Sequence, residues 1–114
     1  MRLDLKQRLM AVAYLADELG SRQANLGVVS LEVVRKIAEV MGAPVKRMAY
    51  DSAAGGPRVI ESVDARVPGC AATVYAQGSR SATAEEGASL GGPGAHRHDG
   101  HDWHSVDLPA GSEA

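Results

Sequence analysis

The four histidines of this chain lie close together near its C-terminal end, with two aspartates between them. Neutral imidazoles and carboxylates are good ligands for zinc, nickel or copper(II). Glycines within and before the cluster disfavour a helix, so the pattern favours a flexible chelating tail over a preformed cage. A solvated polar tail without a physiological metal is the alternative that the same composition allows. The predicted metal ligands are His96, His98, His101 and His104.

One short string has the pattern of a nucleophilic catalyst. Residues 87–91, GASLG, match G-x-S-x-G with Ser89 as the nucleophile, and aspartates and His104 follow in hydrolase order. That motif requires a strand before it, a helix after it and a parallel sheet beneath it, and residues 78–95 have no such pattern. GGPG also lacks the Lys-Ser/Thr ending of a phosphate-binding loop. The sequence therefore predicts no enzyme, and it indicates no cofactor or small-molecule substrate.

Residues 30–42 carry the clearest helix signal of the chain. Ser30 suits the N-cap position, where its hydroxyl accepts from a backbone amide of the first turn. Gly42 suits the left-handed conformation that ends a helix, and Pro44 could open a second, short helix from Val45 to Tyr50. Apolar residues recur between the caps at the spacing of one buried face. They are Leu31, Val34, Ile37, Ala38 and Met41.

Residues 30–49, SLEVVRKIAEVMGAPVKRMA, resemble the last two helices of the Cro/phage-repressor helix-turn-helix family. The resemblance implies a DNA-binding transcriptional regulator with a small helical domain. It departs from the family at Ala43, and residues 1–29 lack the usual pattern of the family's recognition helix. An ordinary amphipathic helix with a glycine stop is the alternative. The matching steps are Ser30-Leu31-Glu32, Val33-Val34, Ile37-Ala38, Met41-Gly42 and Val45.

Two sets of residues would carry DNA binding in this interpretation. Arginine pairs with guanine, and glutamine or asparagine pairs with adenine. The candidate base readers are Arg22, Gln23 and Asn25. Exposed cations contact phosphates without specifying sequence. The candidate phosphate contacts are Arg35, Lys36, Lys46 and Arg47. The alternative for residues 21–29 is a polar loop between helices.

Residues 4–19 form a second helix candidate. Asp4 and Gln7 have the spacing of a capping box, and Gly20 supplies a stop. Asp17 and Glu18 oppose the helix dipole, which a positive neighbour would offset. A wide apolar stripe suggests a homodimer, because a core of two or three such helices is marginal alone. The stripe comprises Leu5, Leu9, Val12, Ala13, Ala16 and Leu19, flanked by Met10 and Leu15.

The rest of the chain has weaker signals. Residues 51–56 are typical of a linker, and residues 57–67 alternate before the turn signal Pro68-Gly69, which allows a short β ribbon. From Gln77 onward, small residues, proline and acids predict disorder. The predicted fold is mainly α. It has a helical domain at residues 1–50, a linker and optional ribbon at 51–77, and a disordered acidic tail at 78–114.

Charge is distributed unevenly along the chain. Residues 1–50 hold eight Lys/Arg and five Asp/Glu, which gives +3, whereas residues 51–114 hold four and nine, which gives −5. A basic half with an acidic tail fits a nucleic-acid binder, although +3 over fifty residues is also unremarkable. A single cysteine allows no internal disulfide, and no apolar run suits a signal peptide or a membrane span. We therefore expect a cytoplasmic DNA-binding regulator. The alternatives are a non-enzymatic protein-interaction module of phage or plasmid type and a metal-binding accessory protein.

Overall fold

The computed structural model describes residues 2–52, 54–91, 96–97 and 104–108. Within these ranges the protein combines helices with a mixed sheet, so the fold is α+β and the prediction of a mainly α chain is wrong. The elements in chain order are α1 (Leu5–Glu18), β1 (Gln23–Val28), α2 (Leu31–Met41), β2 (Lys46–Ser52), β3 (Gly56–Arg66), β4 (Thr73–Ser81), α3 (Ala84–Ala88), a 3-10 helix (Ser89–Gly91), β5 (His96–Arg97) and β6 (His104–Asp107).

The described strands form a sheet in the order β1-β4-β3-β2-β6-β5. β1 runs parallel to β4, with Gln23 opposite Thr73 and Asn25 opposite Tyr75. β6 runs antiparallel to both β2 and β5. The connections from β2 to β3 and from β3 to β4 are too short for the crossover that parallel neighbours need, so both pairs are hairpins.

Pro68 and Gly69 turn the chain from β3 into β4. Gly69 has a φ of 72°, a conformation that glycine adopts without steric cost. The backbone N–H of Cys70 donates to the carbonyl of Val67 at 3.1 Å. Proline followed by a glycine of positive φ is the type II arrangement. The predicted turn is confirmed, and the ribbon that it joins is part of a larger sheet.

The two long helices begin and end at the predicted caps. The side chain of Asp4 accepts from the Gln7 N–H at 2.8 Å, and Oε1 of Gln7 accepts from the Asp4 N–H at 3.0 Å, which completes the capping box. Ser30 Oγ accepts from the Val33 N–H at 3.3 Å, and Gly42 ends α2 in the left-handed conformation. None of the helices in the described ranges is long and apolar enough to cross a membrane.

The chain divides into two compact units, and β3 and β4 contribute residues to both. The first unit comprises Met1–Val45 and Ser62–Gly78, and the second comprises Lys46–Glu61 and Ser79–Ala114. In the first unit α1 and α2 pack against alternate residues of the strands, because successive strand side chains point to opposite faces. The buried cluster contains Leu9, Ala13, Val34, Ile37, Ala38, Val63, Ala65, Val67, Ala72, Val74 and Ala76.

Two segments that were predicted to be helical or irregular are strands. Residues 21–29 contain β1, where the sequence suggested a reading helix or a polar loop. Val45 to Tyr50, the predicted short helix, lies mostly in β2. β1 forms by pairing with the distant β4, and local composition does not reveal such a partner. In β2 the buried positions alternate at Arg47 and Ala49, and a charged member conceals that alternation in the sequence.

Residues 79–91, which the composition assigned to a disordered tail, form the end of β4, α3 and the 3-10 helix. Apolar contact helps to hold them, because Leu90 is buried in a small cluster with Ala49 and Val59. A second capping box opens α3: Thr83 Oγ1 accepts from the Glu86 N–H at 3.2 Å, and Glu86 Oε1 accepts from the Thr83 N–H at 2.9 Å. Local caps and a few apolar anchors therefore order a segment of low hydrophobicity.

Candidate functional site

One side of α1, next to the positions that face the first unit's core, is apolar and exposed. Of the wide stripe expected on this helix, only Leu9 and Ala13 are buried. The large side chains that remain exposed are Leu5, Val12, Leu15 and Leu19, with 40%, 39%, 60% and 76% of their surface accessible. With 3.6 residues per turn, these four positions and Arg8 lie on one side of the helix. We call Leu5, Arg8, Val12, Leu15 and Leu19 the outer face of α1.

The outer face groups four exposed apolar side chains on one helix. Single exposed apolar residues are ordinary, whereas a contiguous apolar patch marks a binding surface or an aggregation hazard. The members of this patch follow one another at alternating spacings of three and four residues, which is the spacing of a helix-pairing seam. The predicted stripe was therefore two surfaces, one that meets the strands and one that meets the solvent.

Charges on α1 are separated along its length. Lys6 and Arg8 are exposed in the first part of the helix, and Glu18 is exposed at its end. The first turn contains no acidic residue and the last turn contains no basic residue. The helix dipole favours acids at the start and bases at the end, so Lys6, Arg8 and Glu18 are placed unfavourably, whereas the N-cap Asp4 is placed favourably.

A cleft of about 690 Å³ lies beside the end of α1, between Asp17 and residues 66–71. Asp17 is engaged there: its Oδ2 accepts from the backbone N–H of Ala71 at 3.3 Å and from Cys70 Sγ at 3.7 Å. Tyr14 donates from its hydroxyl to the carbonyl of Pro68 at 3.2 Å. These contacts attach the end of α1 to the turn between β3 and β4. Glu18, the other acid at this end of the helix, is exposed to solvent.

The second unit contains a buried ion-pair cluster that the sequence did not reveal. Glu61 is fully buried, and its Oε2 lies 3.5 Å from Arg47 Nε and 3.0 Å from Arg80 Nε. The terminal nitrogens of Arg80 donate to both carboxylate oxygens of Glu86 at 2.7 and 2.8 Å. The hydrogen bonds from Arg80 lower the pKa of Glu86 to about 2. In the sequence, Glu61 interrupts the alternation of apolar residues along β3. That interruption was the sequence feature that could have indicated the buried ion-pair cluster.

The predicted DNA contacts lie on several different elements. Arg22 precedes β1, and Gln23 and Asn25 are exposed on that strand instead of on a helix. Asn25 Oδ1 accepts from the Gly27 N–H at 2.8 Å, so its side chain caps the local backbone. Arg35 and Lys36 are exposed on α2. These five residues belong to the first unit, and Lys46 and Arg47 belong to the second.

Arg47 cannot serve as predicted, because only 4% of its surface is accessible and its guanidinium lies against Glu61. Lys46, one residue earlier, is exposed. Alternation along β2 explains the difference, since neighbouring strand residues point to opposite faces. The prediction that both cations contact phosphate is wrong for Arg47.

The predicted metal ligands fall only partly within the described chain. His98 and His101 lie outside the described residues. The backbones of His96 and His104 belong to β5 and β6, where His96 pairs with Ser105 and Arg97 pairs with His104. Over the ranges that the structure describes, no group of three metal-binding side chains converges. The metal site therefore stays a prediction.

Ser89 lies in a context that differs from a nucleophile elbow. A helix, α3, comes directly before it, and Ser89 itself opens a 3-10 helix. Its Oγ donates to the carbonyl of Glu86 at 2.6 Å, as a helix-end serine commonly does. An elbow serine requires a preceding strand that projects the hydroxyl into a cleft.

Among these candidates, the outer face of α1 consists of neighbouring exposed residues on one element, whereas the cluster around Glu61 is internal. No protein-family model matches the chain, and no curated protein or solved structure shows significant similarity to it.

Proposed function

We propose that this chain is a non-enzymatic protein-interaction module and that the outer face of α1 is its binding surface. The observation that carries the proposal is the exposure of Leu5, Val12, Leu15 and Leu19 on one side of a single helix. Amphipathic helices commonly bind partner proteins through residues at this spacing. The flanking charges supply the polar rim that a specific interface needs.

Burial of the four apolar side chains would supply part of the binding free energy. Complete burial of a leucine or valine side chain contributes about 1.5–3 kcal/mol. The four side chains are already partly covered, so their further burial contributes on the order of 4–6 kcal/mol. That amount is comparable with the lower estimates of the translational and rotational cost of association. Contacts beyond the four apolar residues, including charge pairs, are thus needed for tight binding.

DNA binding is the second candidate, and the exposed cations of the first unit favour it. Arg22, Arg35 and Lys36 are all exposed. A helix-turn-helix mechanism would place a helix in the major groove, and β1 occupies the segment expected to supply it. Nonspecific contact with DNA phosphates requires only accessible cations. A measurement of duplex binding in solution therefore tests this candidate separately.

Site-specific photo-crosslinking tests the interaction proposal. A photoreactive amino acid at position 12 reports contacts of the outer face, and the same group at Glu39, an exposed position of α2, is the matched control. We expect protein adducts from position 12 in cells that express the full chain and far fewer from position 39. Equal yields at both positions, or no adduct at position 12, would remove the outer face as a binding surface.

A further inference from the structure

We infer that the partner of the outer face is a second copy of this chain, bound so that the two α1 helices run antiparallel. This inference rests on the proposed function of that face and names its partner. It follows from two features of α1, namely the spacing of its exposed apolar residues and the placement of its charges.

The spacing of the exposed residues suits a helix pair. The seam of a helix pair contains two kinds of position, which alternate along each helix. In an antiparallel pair, a residue at one kind of position packs against a residue at the other kind on the partner helix. One such alignment places Val12 of each copy against Leu15 of the second copy. Val12 and Leu15 of each copy, four side chains in all, then cover one another at the centre of the pair. Both residues are exposed in the single chain.

The same alignment makes the charges complementary. It places Arg8 of one copy beside Leu19 and Glu18 of the other copy, and the twofold symmetry repeats this contact. A parallel alignment would instead place Arg8 of one copy beside Arg8 of the other in the seam, where like charges repel. In the antiparallel arrangement the arginine inside the apolar stripe gains an acidic neighbour from the second copy that the parallel arrangement does not bring to it.

The helix dipoles support the same orientation. Lys6 and Arg8 lie in the half of α1 near its positive end and Glu18 lies at its negative end, which is unfavourable for a helix alone, although the N-cap Asp4 is favourably placed. An antiparallel neighbour brings its acidic end to the basic end of the first helix, and the two dipoles then oppose one another. A surface that is complementary to itself under a twofold rotation is the property that an isologous dimer requires.

Charge reversal in the full chain tests the inference. We would measure the molar mass of the wild type, Arg8→Glu, Glu18→Arg and the double variant by sedimentation equilibrium over a wide concentration range. Each single reversal places like charges together twice per dimer, so dimerisation should weaken by about tenfold or more. The double variant exchanges the charges and should recover most of the wild-type dissociation constant. Lys36→Glu changes the net charge by the same amount as Arg8→Glu, but on α2, and should leave dimerisation unchanged.

Three outcomes would overturn the inference. They are a wild type that stays monomeric at every concentration, single variants that dimerise as well as the wild type, and a double variant no better than the singles. Circular dichroism of each variant confirms that the helices remain folded. If the chain is monomeric while position 12 still crosslinks to another protein, the second-copy inference fails and the proposed function stands. If position 12 crosslinks to nothing, both fail.

Discussion

Arg80 and Glu86 form a two-bond ion pair, in which Nη1 and Nη2 of the arginine lie 2.7 and 2.8 Å from the two carboxylate oxygens. The same arginine donates from Nε to the buried Glu61, so one side chain joins β4, β3 and α3 within the second unit. Only 24% of the Arg80 side chain and 17% of the Glu86 side chain are accessible, which limits screening by water. This pair therefore stabilises a segment whose composition alone predicts disorder.

Loss of the Arg80 side chain should destabilise the second unit strongly. Arg80→Ala leaves Glu61 with one fewer cation in a fully buried site, and breaking a buried pair in this way costs about 3–5 kcal/mol. Urea denaturation measures the change. The matched control is Lys36→Ala, which removes an exposed ion pair with Glu39 of similar length and should cost less than about 1 kcal/mol. Equal effects of the two substitutions would contradict a structural role of the buried cluster.

Acid should remove the contribution of Glu86. Its folded pKa is lowered from 4.5 to about 2 by the hydrogen bonds from Arg80. A lowered carboxyl pKa stabilises the folded state fully above the unfolded value, and this contribution decreases as pH falls from about 4.5 towards 2. It amounts to roughly 3 kcal/mol at most. The difference in unfolding free energy between the wild type and Glu86→Gln should therefore shrink from pH 6 to pH 3. A difference that stays constant with pH would show that the pair does not shift the titration.

Gly78→Ala should destabilise the first unit. A Cβ at this buried position would lie 2.7 Å from the carbonyl oxygen of Val29 and 3.1 Å from Leu31 Cδ2, so the start of α2 must move. Overpacking of this kind costs about 1–3 kcal/mol. Gly87→Ala is the control, because its Cβ would lie 3.4 Å from Pro57 side-chain atoms and alanine favours the helical conformation of α3. Thermal unfolding should show a lower midpoint for the first variant only.

DNA binding stays a prediction, with its phosphate contacts corrected. Lys46→Ala should weaken binding to all duplexes alike and reduce the salt slope by about one unit, because a phosphate contact is lost. Arg22→Ala should cost about 1–3 kcal/mol on a preferred site and little elsewhere. Fluorescence anisotropy at several salt concentrations measures both effects. Absence of binding to specific and random duplexes at low salt would eliminate this function.

Metal binding by the histidine cluster is testable independently of the fold. Nickel or zinc should bind near neutral pH and dissociate below about pH 6, where imidazoles become protonated. Replacement of His98 and His101 by alanine should weaken binding severely. Calorimetry of the full chain, compared with an unstructured peptide of residues 95–105, distinguishes a built site from simple chelation. Equal affinities of chain and peptide would show that the fold builds no metal site from the cluster.

The sequence alone determined the two long helices. Asp4 and Gln7 cap the start of α1, and Ser30 and Gly42 cap opposite ends of α2, each through contacts with residues three or four positions away in the chain. The same locality explains why the turn at Pro68-Gly69 and the alternation of β3 were predictable. Periodicity and caps report interactions between residues a few positions apart.

Tertiary structure decided the rest, because the determining contacts join distant residues. β1 is a strand through its pairing with β4, and the buried Arg47 of β2 lies against Glu61 of β3, which Arg80 of β4 also contacts. The apolar stripe on α1 shows the same limit of prediction from a local pattern. Its periodicity predicts a helix with a broad apolar surface, but the strands cover only the arc around Leu9 and Ala13. Which arc of a helix meets the core, and which is left for a partner, depends on packing that a local pattern does not encode.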